Sequence, residues 1–342
     1  MNMDNTVAAK RVLVIGAGGF AGGFIVEEGL RRGLEVWAGV RASTSREYLA
    51  DSRIKFLTLD FENPHSLSSA LGATLPAGEK WDWIIYNLGA TKAISFADFS
   101  RINYDYLRDF TDALKVTGMV PERFLFISSL SVLGPGDEKG YTPFTEKSIP
   151  RPNTKYGASK LKAEMQLAMS GIPYIILRAT GIYGPRDKDY FLMFKSIARG
   201  VDFSVGYRKQ LLTFIYVEDL ARAIYDALQR GRVGETYNVA EPRTYSQKEF
   251  RQMTVKALGK SFALGIPMPL WLVKAVSTIA EKWGVARMKP STLNRDKFNI
   301  LKQRNWAVDV SKARNDFGFN PMVGLDEGIK NSLNWYKSKG WL

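Results

Sequence analysis

A tyrosine and a lysine four residues apart, Tyr156 and Lys160 in the run Lys155-Tyr156-Gly157-Ala158-Ser159-Lys160, carry the most telling chemistry in this chain. On a helix that spacing is one turn, so both side chains leave the same face. A phenol is ordinarily a poor base, with a pKa of about 10. A fixed ammonium beside it favours the phenolate. Bringing the phenol near neutrality takes roughly 3 units, or about 4 kcal/mol. That is a large demand on one lysine, so a second cation is expected nearby. Tyr-x-x-x-Lys pairs also occur on ordinary helix surfaces, and the other motifs decide which this is.

Composition bounds those motifs. The 342 residues suit one large domain or two intimate ones, and 45% hydrophobic content allows a full core. The absence of cysteine excludes disulfides and thiolate metal sites. His65 is the single histidine and reads as a loop residue without clustered carboxylates. No metal centre is expected, and no Ser-His-Asp hydrolase. No run of about 18 uncharged apolar residues suggests a membrane span. The start MNMDNTVAAK lacks the pattern of a signal peptide. A soluble cytoplasmic protein is the expectation. The net charge is +14, but Lys and Arg are spread along the chain without a basic tract. Solubility and attraction of phosphorylated ligands are therefore preferred to a nucleic-acid partner.

The elements that must position Tyr156 alternate. Residues 11–15 (RVLVI) read as a buried parallel strand. Gly16-x-x-Gly19-x-x-Gly22 follows, with Phe20 among the cofactor-binding candidates, and opens an apolar-periodic helix to about Arg32. Glycines at such a strand-to-helix turn let backbone approach a pyrophosphate, and the helix N-terminus offers N–H donors. An oxidised nicotinamide ring would then supply the second cation. The next strand, residues 35–40, ends in Arg41 where NAD-binding versions carry an acidic residue. An arginine there suits a 2′-phosphate, so NADP is preferred over NAD, and Arg46 could assist. Strands at 54–59, 81–86 and 123–127 lead into Asp60-Phe61, Asn87-Leu88-Gly89-Ala90 and Ser128-Ser129-Leu130-Ser131. All these motifs fall at the carboxyl ends of a doubly wound parallel sheet, where ligands bind. The dinucleotide-binding α/β domain is placed at 1–180 plus a return segment 211–240. A smaller, mostly helical substrate domain takes 181–210 and 241–342. Within it, residues 262–283 are the most apolar stretch. A membrane-surface helix is one reading, and packing inside the second domain or over the substrate is preferred, since Pro267 and Pro269 shorten the helix.

At this point the chain resembles the extended short-chain dehydrogenase/reductase family, the NAD(P)-dependent epimerase/dehydratase group. The likeness rests on VIGAGGFAG at 14–22, Asp60, NLGA at 87–90, Asn103, SSLSVLG at 128–134, TEKSIPRPNTKYGASK at 145–160, LRATGIYGP at 177–185 and FIYVEDLA at 214–221. It implies that Gly16, Gly19 and Gly22 cradle the pyrophosphate. Asp60 would hold the adenine amine, with a backbone contact from Phe61, while Asn87, Leu88, Gly89 and Ala90 line the nucleotide. Ser129 would hold the substrate oxygen, Tyr156 act as acid/base, and Lys160 bind the nicotinamide ribose and lower the Tyr156 pKa. It also implies a homodimer built from helices near 100–118 and 154–170. Ser131, Gly181, Tyr183 and Arg186 are the candidate substrate residues. Nucleotide-sugar members usually carry an asparagine where this chain has Gly181, so the likeness leans to the 3β-hydroxysteroid dehydrogenase and dihydroflavonol-reductase branches. Likewise, Val-Leu-Gly follows Ser131 where many members have Val-Tyr-Gly. The expected activity is reversible hydride transfer at a secondary alcohol or ketone. A nucleotide-sugar epimerase is the alternative, and a non-enzymatic dinucleotide-binding sensor or scaffold is the reading from another class.

Overall fold

The computed structural model describes residues 9–342. Short apolar runs form β1 (Arg11–Ile15), β2 (Glu35–Val40), β3 (Lys55–Thr58), β4 (Trp83–Tyr86), β5 (Arg123–Ser129) and β6 (Tyr174–Ala179). Three strands outside that series follow: β7 (Gly181–Tyr183), β8 (Val201–Val205) and β9 (Phe214–Tyr216). Then β10 (Glu235–Val239) returns beside β6. The result is a seven-stranded parallel sheet in the order β10-β6-β5-β4-β1-β2-β3. Strands covered on both faces need near-continuous apolar runs, and all four residues of β4 are buried. Strand order reverses between β1 and β4, which opens a crevice at their carboxyl ends.

Helices α1 (Phe20–Arg31), α2 (Pro64–Thr74), α3 (Phe96–Ser100), α4 (Tyr106–Val116) and α5 (Lys155–Met169) connect the first six strands. His65 lies in the first turn of α2 rather than in a loop. Beyond β6 come α6 (Asp189–Ala198), α7 (Val217–Arg230) and α8 (Gln247–Ala257). After α8 the chain forms β11 (Leu264–Met268), α9 (Leu270–Ala286), α10 (Arg295–Leu301), α11 (Ser311–Phe317) and α12 (Leu325–Ser338). A second core of aromatic side chains, among them Tyr183, Phe194, Phe214, Phe250 and Tyr336, gathers β7, β9, α6, α8 and α12.

The first half of one expectation, packing inside the second domain, holds for little of residues 262–283, where Ala263 packs against the second core. Pro267 sits within β11 and Pro269 caps α9, so the prolines set where the helix starts. Of the 17 residues in α9 only Val273 and Ser277 are buried. No described helix is long and apolar enough to cross a membrane.

Candidate active site

The turn after β1 is glycine-built for steric reasons. Gly16 has φ +78°, and a Cβ there would meet the Leu88 nitrogen at 3.0 Å. A Cβ on Gly22 would lie 2.2 Å from the Gly16 oxygen, so α1 can approach the turn only with glycine there. Gly19 is the N-cap of α1 and donates its N–H to the Gly16 carbonyl at 3.0 Å. Sequence reasoning missed Gly18, whose Cβ would strike the Thr44 methyl at 2.1 Å. Thr44 belongs to the loop after β2, where its Oγ1 accepts the Arg41 N–H at 3.0 Å. The loop bearing the exposed Arg41 thus folds onto the glycine turn. Arg46 instead lays its guanidinium over the Phe56 ring at 4.1 Å. These glycines leave a cradle that side chains would fill, and the cradle fits a dinucleotide pyrophosphate at a helix N-terminus.

The remaining nucleotide candidates lie just after β3 and β4 and at the start of α1. Asp60 is exposed just beyond β3, and its Oδ1 accepts the Glu62 N–H at 3.0 Å. Phe61 is buried between Tyr86, Tyr106 and Phe110, so its ring anchors the core. Phe20 packs edge-on against Phe24. Asn87 follows β4, its N–H bonded to the Ile15 carbonyl at 3.0 Å, and Leu88 to Ala90 continue past it. Asn103 holds that segment from below. It is fully buried in a π-helical turn, Arg101–Asp105, between α3 and α4. Its Oδ1 accepts the Ala90 N–H at 2.7 Å, and its Nδ2 donates to the Ala90 carbonyl at 3.1 Å and to Ser159 Oγ at 2.8 Å. Ser159 in turn donates to the Tyr156 carbonyl at 2.7 Å. One amide side chain therefore ties the loop after β4 to the Tyr156 helix, in a local widening of the kind often found at functional sites.

Helix α5 is fixed at three levels. At its start Thr154 Oγ1 accepts the Gly157 N–H at 2.9 Å. Asp296, from α10, accepts the Lys155 and Tyr156 N–H groups at 2.9 and 3.0 Å. Together they satisfy three N–H groups that a helix otherwise leaves unpaired. Nothing local in the sequence signals Asp296, since it lies 140 residues from Tyr156. Further along, buried Glu164 pairs with Arg178 of β6 through two bonds of 3.0 and 2.6 Å. This bidentate geometry sets the helix rotation against the sheet.

Ser129, Tyr156 and Lys160 meet at the end of β5. Ser129 Oγ donates to Ser131 Oγ at 3.2 Å and accepts the Ser131 N–H, so Ser131 supports Ser129. Lys160 is buried, with Nζ donating to the Ile127 carbonyl at 2.7 Å and lying 3.9 Å from the Phe126 ring centroid. Burial pulls its pKa down to about 7 against an opposing push from Glu164. The expected lowering of the phenol is absent from the chain by itself. Burial pushes Tyr156 up, and a hydrogen bond with Ser129 opposes it. Burial thus works against charge on both groups, and a bound cation beside the phenol would favour the phenolate.

One substrate candidate is corrected. Tyr183 is fully buried among Tyr190, Phe214 and Tyr216, because β7 pairs with β9 inside the second core. Arg186 Nη2 donates to Glu27 at 2.7 Å and the guanidinium lies near the Phe24 and Tyr48 rings, while its Nε and Nη1 are buried without a partner among the described residues. Gly181 has a clear spatial role. A Cβ there would lie 2.0 Å from the Tyr190 hydroxyl, so that ring occupies the space a larger side chain would need.

Known proteins place this arrangement. Over 340 residues, the chain is 25% identical to the ceramide reductase of Caulobacter vibrioides, covering 98% of each. It is 28% identical over 237 residues to dTDP-glucose 4,6-dehydratase of Neisseria meningitidis, covering 64% of this chain and 59% of that one. Among solved structures, WbmG of Bordetella bronchiseptica in complex with NAD superposes with TM-score 0.77 at 21% identity, over 99% of this chain and 97% of that one. The NAD-dependent epimerase/dehydratase family matches across residues 12–240, and the chain belongs to that family of extended short-chain dehydrogenase/reductase enzymes.

Proposed function

We propose that the chain is an NADP(H)-preferring oxidoreductase acting reversibly on the secondary alcohol or ketone of an apolar substrate. The observation that carries the substrate class is Tyr190 filling the space beside Gly181, where nucleotide-sugar members usually place an asparagine. The full-length likeness to a ceramide reductase supports the same class. The likeness to the sugar-nucleotide dehydratase is confined to 64% of this chain.

When bound, the reduced nicotinamide cofactor supplies the hydride for the carbonyl carbon. Tyr156 gives its phenolic proton to the carbonyl oxygen in reduction and takes it back in oxidation. Burial keeps the phenol protonated, which suits the reductive direction. Ser129 donates a hydrogen bond to the same oxygen as charge develops on it. Lys160, already aimed through Ile127 and beside Gly89, would bind the nicotinamide ribose. Arg41 would pair with a 2′-phosphate. Exposed Val116, Met165 and Met169 on α4 and α5 support the expected homodimer.

The test is turnover of long-chain and cyclic ketones with NADPH and with NADH, for wild type and Arg41→Ala. NADPH should win, and Arg41→Ala should shrink the preference about tenfold, or about 1.4 kcal/mol. Interconversion of sugar nucleotides without net cofactor oxidation would establish the epimerase reading instead. The observation favouring that alternative is the set of epimerase and dehydratase folds it superposes on.

A further inference from the structure

Helix α9 is inside out. Trp271, Ala275, Ile279 and Trp283 repeat every four residues, so they form one stripe along the helix, and all four are exposed. Trp271, Ile279 and Trp283 are 71%, 59% and 61% accessible, values normal for lysine and rare for a tryptophan stripe. The opposite stripe, Val273-Ser277-Glu281, faces the protein. A surface helix normally turns its apolar side inward. The exposed apolar surface continues onto the short ribbon ahead of α9. Its strands pair β11 with β8, and Phe203, Leu264 and the preceding Phe262 are exposed there. Val276, Ile279, Ala280 and Trp283 line an open groove of about 560 Å³.

Charge is arranged around this surface with one sign. Lys274, Lys282, Arg287 and Lys289 are exposed along and just after the helix. Glu281 is the sole acid in residues 262–289, and it is bonded to Arg295 at 2.9 and 3.1 Å. Arg287 lies 5.0 Å from the Trp283 ring. At the ribbon's end Tyr207 is exposed beside exposed Arg208 and Lys209. Apolar side chains bounded by tryptophan and cations match a bilayer interface: acyl chains for the rings, anionic headgroups for the lysines.

We infer that the outward face of α9, with the β8–β11 ribbon, docks this protein on an anionic phospholipid surface. A second copy is disfavoured as the occupant. A twofold contact through this face would bring the like charges of Lys274, Lys282, Arg287 and Lys289 on the two copies against one another. The protein would lie on the membrane without crossing it. The inner side of α9 contributes Glu281 and Val285 to a small cavity shared with Phe99, Lys155 and Asp296. Phe99 is 6.3 Å from the Tyr156 ring, so the docked helix adjoins the catalytic one. The inference holds whatever the substrate proves to be.

The experiment is flotation of the full chain with neutral phosphatidylcholine vesicles and with vesicles containing phosphatidylglycerol. The protein should float with the anionic vesicles, at least tenfold more than with neutral ones, and added salt should release it. Trp271→Glu/Trp283→Glu should abolish flotation. Lys274→Glu/Lys282→Glu/Lys289→Glu should erase the headgroup preference, both variants keeping the wild-type melting temperature. In parallel, brominated acyl chains should quench wild-type tryptophan emission, and Trp271→Phe/Trp283→Phe should remove most of that quenching. Wild type remaining at the bottom of both gradients overturns the proposal. So does a wild-type dimer that becomes monomeric on Trp271→Glu/Trp283→Glu without binding vesicles, since a second copy would then cover the face. Neither readout uses turnover, so a wrong substrate class leaves this result untouched.

Discussion

Helices α5 and α9 break the same rule in opposite directions. Helix α5 buries Ser159, Lys160 and Glu164, while α9 exposes Trp271, Ile279 and Trp283. Each buried polar group of α5 is paired: Ser159 with Asn103 and the Tyr156 carbonyl, Lys160 with Ile127, Glu164 with Arg178. The exposed rings of α9 have only the Arg287 contact and the groove. The difference teaches where each exception is used. Polar groups drawn inside and satisfied act within the molecule, whereas apolar groups left outside act on a partner.

The largest effect should follow from removing the proposed proton donor. Tyr156→Phe keeps the ring and its packing against Phe99 but deletes the hydroxyl. Turnover should fall by roughly 10²–10⁴-fold, with cofactor affinity unchanged in calorimetry. Retention of turnover would mean that α5 buries its polar groups for stability alone, and the comparison with α9 would lose its functional side.

A smaller effect with a pH signature should come from Lys160→Met. Burial depresses the Lys160 pKa to about 7. An unfolded chain holds that proton up to about pH 10. Between those values the unfolded state binds more protons than the folded one, so wild-type stability rises with pH across that window. Below pH 7 both forms are charged and the penalty is complete. The methionine variant carries none of it, so its melting temperature should exceed that of wild type most clearly at pH 6–7. The gap should close towards pH 10, while turnover drops. An equal gap at every pH would place the difference in packing instead of in charge burial.

How much of this could be read in advance differs between the same two helices. The parallel sheet, the glycine turn and the Tyr156–Lys160 spacing were legible because their signals are local, whereas Ser129 entered only through the family resemblance. Each local signal is an apolar run, a turn or a one-turn spacing. Asp296 was not legible, because a cap supplied from another part of the chain leaves no periodic mark. Gly18 was hidden for the same reason: its partner Thr44 lies on a different loop. Tyr183 misled because residues after a strand end ordinarily face the crevice, and here β7 leaves the main sheet to pair with β9. The apolar content of α9 was plain, but its direction was not. Hydrophobic periodicity gives a helix two faces and does not say which one looks outward.

Asp296 links the two regions, and the mildest prediction concerns it. It follows α9 closely in sequence and caps α5. Asp296→Ala leaves the Lys155 and Tyr156 N–H groups unpaired, at a cost of about 1 kcal/mol. For a chain of this size that lowers the melting temperature by about 2 °C. A loss of global stability alone would leave kcat intact at a temperature well below melting. A loosened first turn should instead lower kcat severalfold with little change in cofactor affinity, because Tyr156 sits in that turn and Lys160 does not. Asp296→Asn keeps one acceptor oxygen for the two N–H groups, so it should fall between alanine and wild type in both measurements. If kcat stays at the wild-type value in both variants, Asp296 serves only to fasten the C-terminal segment. The C-terminal segment would then meet α5 without helping to position its tyrosine.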